Sequence, residues 1–324
     1  MIVDTVDFQT IRAAVELGRH APSVHNSQPW RWRLKRRTLL LQADLRRRLP
    51  ATDADGRDLI VSCGAALHHT RVALAASGLR AVVHRIPDPQ RPDDLAALEL
   101  VPRPPGDADV ELAAVILRRR TDRRRFSTSD VPETMRAALV QRAAEQGALL
   151  KVITGSARRK LESTLREAAA VQDDSPAYRT ETAVWSGAQF ADDGVPAANL
   201  LATPPDPAHG RRFTPGYLRQ EPSGEPDGAL LAVIGTASDD TLSQLRAGEA
   251  LSTVLLHATL LGLATCPLSQ VLEVDDTRRE LRDAVLDGAM APQLVLRLGF
   301  ASTESPLPAT PRRRVNEILY REPG

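Results

Sequence analysis

Phe8, Ile11, Ala14, Val15 and Gly18 recur at three- and four-residue steps, which predicts an amphipathic helix over residues 7–20. Arg19 and His20 suit its last turn and Pro22 stops it. The Pro-, Ser- and Asn-rich stretch 21–30 reads as a loop. Short apolar runs predict strands at 30–34, 39–41, 81–86 and 95–100, whereas residues 44–58 are charged and irregular. Residues 64–78 form an Ala-rich helix pattern. The run Val101-Pro-Arg-Pro-Pro-Gly106 interrupts the periodicity and sets a boundary between two halves, 1–106 and 107–324.

In the second half, Pro132 opens a helix that runs to about residue 146, followed by a strand at 149–153 and a charged amphipathic helix at 157–171. Residues 203–228 hold six Pro and four Gly, too rigid and polar for a core. A buried strand is expected at 230–234. Residues 248–263 are apolar almost all round, the mark of a helix buried on several sides. A helix at 277–286, a strand at 294–298 and an Arg-rich tail complete the pattern. Gly64-Ala-Ala-Leu67 and Gly248-Glu-Ala-Leu251 begin alike, and each ends in Gly-Leu fourteen residues later, which suggests a duplicated half.

Composition narrows the class. The chain has 324 residues, 42% hydrophobic and 26% charged, with a net charge of +1. That is a globular composition, too apolar for disorder and without the basic excess of a nucleic-acid binder. No apolar run approaches the length of a membrane span, and the first residues carry acids where a signal peptide would be basic. A cytoplasmic protein with no membrane and no nucleic-acid partner is expected. Cys63 and Cys266 lack zinc or redox spacing and read as buried apolar residues. Of the 42 basic residues only Lys35, Lys151 and Lys160 are not Arg.

Several chemistries are set aside. There is no Gly-rich dinucleotide fingerprint, Walker loop, Gly-x-Ser-x-Gly elbow or His-Glu-x-x-His. Residues 51–56 resemble a calcium loop but lack its essential acids. His68 and His69 are adjacent on a helix and diverge by about 100°, a poor metal pair; no metal site is expected.

Four segments remain. The 22–30 loop offers Ser, Asn and free backbone groups suited to the edge of a heterocycle, or it is only a helix stop and strand entry. Residues 118–125 contain six Arg and one Thr between Val115-Ile-Leu117 and Phe126. Forked guanidiniums and a hydroxyl suit a phosphate monoester, although a solvated charge run is the other reading. The tail Arg312-Arg313-Arg314 carries the same ambiguity. Leu263-Ala-Thr-Cys-Pro-Leu-Ser269 reads as a loop that can bring backbone N–H groups to a ring.

Together these segments resemble the FMN-dependent nitroreductase family, most closely its Acg-type members of mycobacteria. The likeness covers most of the chain except roughly 172–228. Pro22, Ser23, Val24 and Asn26 are then contacts to the isoalloxazine and ribityl of FMN, with Gln28 and Trp30 nearby. Arg119, Arg120 and Thr121 look like the motif that grips the FMN phosphate, with Thr in the place of Ser and Phe126 one residue late. Pro267, Leu268 and Ser269 are similar to the segment whose backbone meets the flavin N5. Arg312 and Arg314 resemble late phosphate-binding residues.

The resemblance implies an α+β fold with central, mostly antiparallel sheets flanked by helices. In ordinary members the Arg motif precedes the Pro-Ser loop within one chain. Here the first half lacks the Arg motif and the second lacks the loop, which implies two fused halves, an intramolecular pseudo-dimer with one FMN site across them. The implied activity is NAD(P)H-dependent reduction of nitroaromatics or quinones by a monomer that mimics a dimer, with no obligatory side-chain acid or base. If the 203–228 insertion is a lid, the alternative is flavin sequestration with little turnover; otherwise it is a surface loop.

Overall fold

The computed structural model describes residues 7–187, 191–220 and 224–322. Helix α1 (Phe8–Gly18) starts where the Asp7 carboxylate accepts the Thr10 N–H at 3.2 Å, and it buries Ile11, Ala14, Val15 and Gly18 as its periodicity requires. A five-stranded sheet follows in the order β3-β4-β2-β1-β9: β1 (Trp30–Lys35), β2 (Thr38–Ala43), β3 (Leu79–Arg85), β4 (Asp94–Pro102) and β9 (Leu319–Arg321). Its pairs are antiparallel except β1 with β9. Trp30 and Trp32 alternate inward from β1 and are fully buried. Each removes roughly 200 Å² of mostly apolar surface from water, on the order of 5 kcal/mol before entropy is charged.

The second sheet, all antiparallel, runs β5-β6-β8-β7: β5 (Leu149–Ile153), β6 (Leu230–Thr236), β7 (Ala264–Leu268) and β8 (Ala291–Gly299). The α+β fold with mostly antiparallel sheets therefore stands. Because β9 joins the first sheet, the chain boundary near 106 does not divide the sheets. The expected loop at 263–269 is corrected: residues 264–268 pair with β8, Thr265 opposite Leu298 and Pro267 opposite Leu296. β7 is an edge strand, where the N–H that Pro267 lacks need not be supplied.

Two 20-residue helices, α2 (Arg57–Ala76) and α7 (Thr241–Leu260), pack against each other, and a single core joins them to both sheets. They cross at Gly64 and Gly248, the paired positions of the internal repeat. A Cβ on Gly64 would lie 2.1 Å from the Leu245 carbonyl oxygen and 2.9 Å from Gly248 Cα. One on Gly248 would lie 2.0 Å from the Val61 oxygen. Only residues without a Cβ permit this approach.

Both helices start earlier than their apolar pattern. In α2, the Asp53 carboxylate accepts the N–H groups of Asp58 and Leu59 at 2.9 and 2.8 Å, so polar residues from 57 onward enter the helix. Asp240 caps α7 through Ser243 N–H at 2.8 Å. α2 is long and apolar enough to cross a membrane, with a mean hydropathy of 1.3 over its best window, but 78% of that window is buried against the rest of the fold.

Three helices complete the second sheet's surroundings. These are α4 (Glu133–Ala144), α5 (Gly155–Asp174) and α8 (Asp275–Glu280), the last continuing into a π turn at Leu281–Val285. α3 (Asp107–Ala114) and α6 (Pro176–Val184) were not anticipated, and α9 (Val315–Ile318) leads into β9.

Candidate functional site

The 22–30 loop carries His25, Asn26 and Gln28 at φ 50°, 55° and 49°, left-handed backbone that costs a non-glycine residue roughly 1 kcal/mol or more. Its shape is held by side-chain bonds. Gln28 N–H donates to Ser23 Oγ at 2.9 Å, and Asn26 Nδ2 donates to the carbonyls of Gly194 (3.0 Å) and Pro311 (3.1 Å). Gln28 Nε2 reaches the Asp192 carbonyl at 3.0 Å, and Gln28 Oε1 accepts the Arg313 N–H at 2.9 Å. The loop is thus sewn to the second half from both sides.

Two adjoining cavities open beside it, of about 100 and 50 Å³, with Pro22, Ser23, Thr121 and Arg123 common to their walls. The larger is lined also by Val24, and across it by Cys266, Pro267, Leu268 and Ser269 from β7 and its end. The smaller holds Asn26, Arg119, Arg120 and Arg312, and no acidic residue lines it among the described residues.

Arg119 is buried, and among the described residues its Nε and Nη1 have no hydrogen-bond partner; Nε of Arg120 and of Arg312 are likewise bare. Burial, with Arg120 beside it, brings the Arg119 pKa down to about 10. Burial and the charges of Arg119, Arg120 and Arg19 bring Arg312 down to about 9. His20 is pushed down to about 3 by burial and Arg312, so it adds no charge near neutral pH. Guanidiniums with unpaired N–H groups and no carboxylate beside them, Arg119 above all, are an arrangement that an incoming dianion would complete.

The structure thus brings Pro22, Ser23, Val24, Asn26, Arg119, Arg120, Thr121, Pro267, Leu268, Ser269 and Arg312 to the two cavities. Three expected residues are placed elsewhere. Gln28 is buried but spends both amide atoms on the loop, and Trp30 is fully buried in the core beneath it. Arg314 points to solvent, its side chain 76% exposed and 3.8 Å from Asp192, because the tail's alternation turns Arg313 inward onto the Gln28 carbonyl instead. His68 and His69 do not diverge: both Nδ1 atoms lie 2.6 Å from Ser252 Oγ on α7.

The sequence left Arg123 open, because Phe126 falls one residue late in the motif, and did not single out His25, Asp58, Arg211 or Phe213. The last two come from the Pro-rich insertion, of which residues 221–223 lie outside the described residues. Arg211 is buried and bridges three groups: Glu273, Ser269 Oγ at 3.1 Å, and the Tyr178 hydroxyl. Phe213 meets the His25 ring edge-on at 5.6 Å, with the Arg123 guanidinium 5.4 Å from its centre. Burial and the Arg211 and Arg123 charges hold His25 well below its ordinary pKa. An Arg and an aromatic inside an otherwise Pro/Gly-rich segment were the available signal. Asp58 gave none, lying in a charged stretch that looked irregular.

No family model matches the chain. Two Mycobacterium tuberculosis proteins named "Putative NAD(P)H nitroreductase" are similar to it over nearly their whole length. Rv3131 is 43% identical over 317 residues, 97% of this chain and 92% of its own. The protein acg is 36% identical over 322 residues, 97% and 96% respectively. Among solved structures, the FMN-dependent nitroreductase NfnB of Mycobacterium smegmatis in complex with NADPH covers 65% of this chain and 97% of its own at 18% identity, TM-score 0.42. A nitroreductase with bound FMN from Desulfitobacterium hafniense covers 65% and 98% at 17% identity, also with TM-score 0.42.

Proposed function

The chain belongs to the NAD(P)H nitroreductase family, and from that premise we propose that it binds FMN at a single site across its two halves and serves as an NAD(P)H-dependent reductase of small aromatic acceptors, nitroaromatics or quinones. The observation that carries the reading is the cluster of the buried Arg119 and the half-buried Arg120 and Arg312, each with an unpaired guanidinium N–H, beside a cavity of mixed polar and apolar lining. A phosphate monoester suits these unpaired N–H groups, and Thr121 lines both cavities. When bound, FMN would supply the redox chemistry. The chain would supply position and exclusion of water: Pro22 to Val24 on one side of the ring cavity, Pro267 to Ser269 on the other.

We infer the fused pseudo-dimer from the same features. The loop comes from the first half and the Arg motif from the second. The equivalent glycines Gly64 and Gly248 also meet each other, as paired positions on a local two-fold axis do. A site completed within one chain needs no second copy.

Arg211 and Phe213 favour a second reading, sequestration under a lid. The ring-side cavity of about 100 Å³ is well below the roughly 300 Å³ at the small end of ligand sites. In this reading the insertion would shift to admit the ring and bury the flavin on its return. Anaerobic NADPH addition to the FMN-loaded protein distinguishes the two: rapid bleaching means reductase, and persistent colour means sequestration. Deleting 203–228 should then restore bleaching. A protein with Arg119→Ala and Arg120→Ala should not retain FMN; unchanged retention would remove the phosphate site from this cluster.

A further inference from the structure

Asp58, in the first turn of α2, lines the ring-side cavity together with Val61 and Ser62, yet phosphate recognition has no use for it. The residue is 1% exposed. Its Oδ1 accepts from Arg57 Nη2, and its Oδ2 has no hydrogen-bond partner. A bare, buried carboxylate oxygen is costly, so that oxygen either carries a proton or awaits a donor.

The surrounding charges decide between these. Arg57 donates Nη2 to Asp58 and commits Nη1 to the Gln293 carbonyl at 2.6 Å, while the Asp53 charge bears on Asp58. Both Asp53 oxygens accept backbone N–H groups, which favours its charged form. Glu273, beyond β7, is paired with Arg211 of the insertion. His25, also on the cavity wall, is held well below its ordinary pKa by burial, and Arg123 lines both cavities. Two neighbouring buried carboxyls, one of them paired with Arg57, leave room for one proton. Of their four oxygens, only Asp58 Oδ2 lacks a donor.

We propose that Asp58 is a neutral carboxylic acid that donates its Oδ2 hydrogen to a carbonyl or ring-nitrogen acceptor on the edge of the heterocycle held in this cavity. The proposal rests on the flavin reading and adds to it a pH-dependent hold on the ring. Burial pushes the Asp58 carboxyl up to about 8; Arg57 and Arg211 oppose the rise, and Asp53 and Glu273 add to it. With the folded-state value raised, the acid is the species present at neutral pH, and the donor is lost as pH climbs past that value.

The test is the affinity for riboflavin and for FMN, read by flavin fluorescence from pH 6.5 to 9. Riboflavin lacks the phosphate, so the Arg cluster and the phosphate's own titration near pH 6 drop out. Wild-type affinity for riboflavin should hold near neutrality and be about tenfold weaker at pH 9, a tenfold loss per unit above the carboxyl's pKa. Asp58→Asn keeps an N–H donor and should bind with a flat profile. Asp53→Asn removes a neighbouring negative charge and should move the fall to lower pH. A flat wild-type profile, or the same fall in Asp58→Asn, overturns the proposal. Should Asp58→Asn fail to fold, the wild-type and Asp53→Asn profiles decide. Failure of the wild-type protein to take up FMN at any pH would remove the flavin reading and this proposal with it; uptake without pH dependence removes only the latter.

Discussion

Replacing Arg119 with Met should stabilise the ligand-free protein while destroying its hold on FMN. Arg119 is 5% exposed, and among the described residues its guanidinium makes one hydrogen bond, Nη2 to the His20 carbonyl at 3.5 Å. Its pKa of about 10, against an ordinary 12.5, is a depression of roughly two and a half units. At about 1.36 kcal/mol per unit, keeping this guanidinium charged in the fold costs on the order of 3 kcal/mol. The folded-state value is the lower one, so the cost is fully present below about pH 10 and is relieved only as pH rises from there toward the unfolded value. Met fills a similar volume without a charge. Relaxation of Arg120 and Arg312 in the wild-type protein already recovers part of the cost, so the realised gain should be about 1–2 kcal/mol, or roughly 2–4 °C in Tm. Thermal melts of ligand-free protein at neutral pH, with and without FMN, read both effects. Wild type should gain about 2.7 kcal/mol from FMN at a hundred times its Kd, and Arg119→Met should start higher and gain little. A ligand-free variant that melts below wild type and keeps the full FMN shift would refute the reasoning.

Three further outcomes follow from the packing. Gly248→Ala drives a methyl into the Val61 carbonyl, backbone that cannot swing aside, and should lower stability by about 3 kcal/mol or more in urea titration; a loss under about 1 kcal/mol would mean the helices can separate freely. Glu273→Gln leaves Arg211 buried without its carboxylate, a loss of about 3–5 kcal/mol for such pairs. The insertion should then admit and release FMN faster in stopped-flow mixing, and unchanged rates would show that the Arg211 bridge does not hold it. Burial pushes the thiols of Cys63 and Cys266 up, so neither should react with a disulfide reagent until the protein unfolds; labelling of the native protein at neutral pH would contradict this.

Local chemistry was legible wherever a short window contains its own cause. The α1 stripe, the stop at Pro22, the alternation of β1 and the Pro/Gly character of 203–228 each follow from neighbours within a few residues. So did most of the cavity wall, because Pro22 to Asn26, Arg119 to Thr121 and Pro267 to Ser269 are contiguous motifs. β7 was misread for an instructive reason. Pro267 looks like a strand breaker in isolation, and only an edge position, which depends on the other strands, excuses it.

By itself, then, the sequence carried the resemblance that implies the α+β class, the pairing of Gly64 with Gly248, and the candidate segments at 22–30, 119–121 and 267–269. Tertiary structure decided which atoms face the site. It turned Arg312 in and Arg314 out and spent Gln28 on the loop. It also carried Arg211 and Phe213 from a remote insertion to the cavity and set Asp58, paired with Arg57, beside Asp53. Side-chain direction and burial arise from contacts between residues tens to hundreds of positions apart. Burial in turn makes the same Arg or Asp a solvated charge in one place and a strained, ligand-seeking group in another.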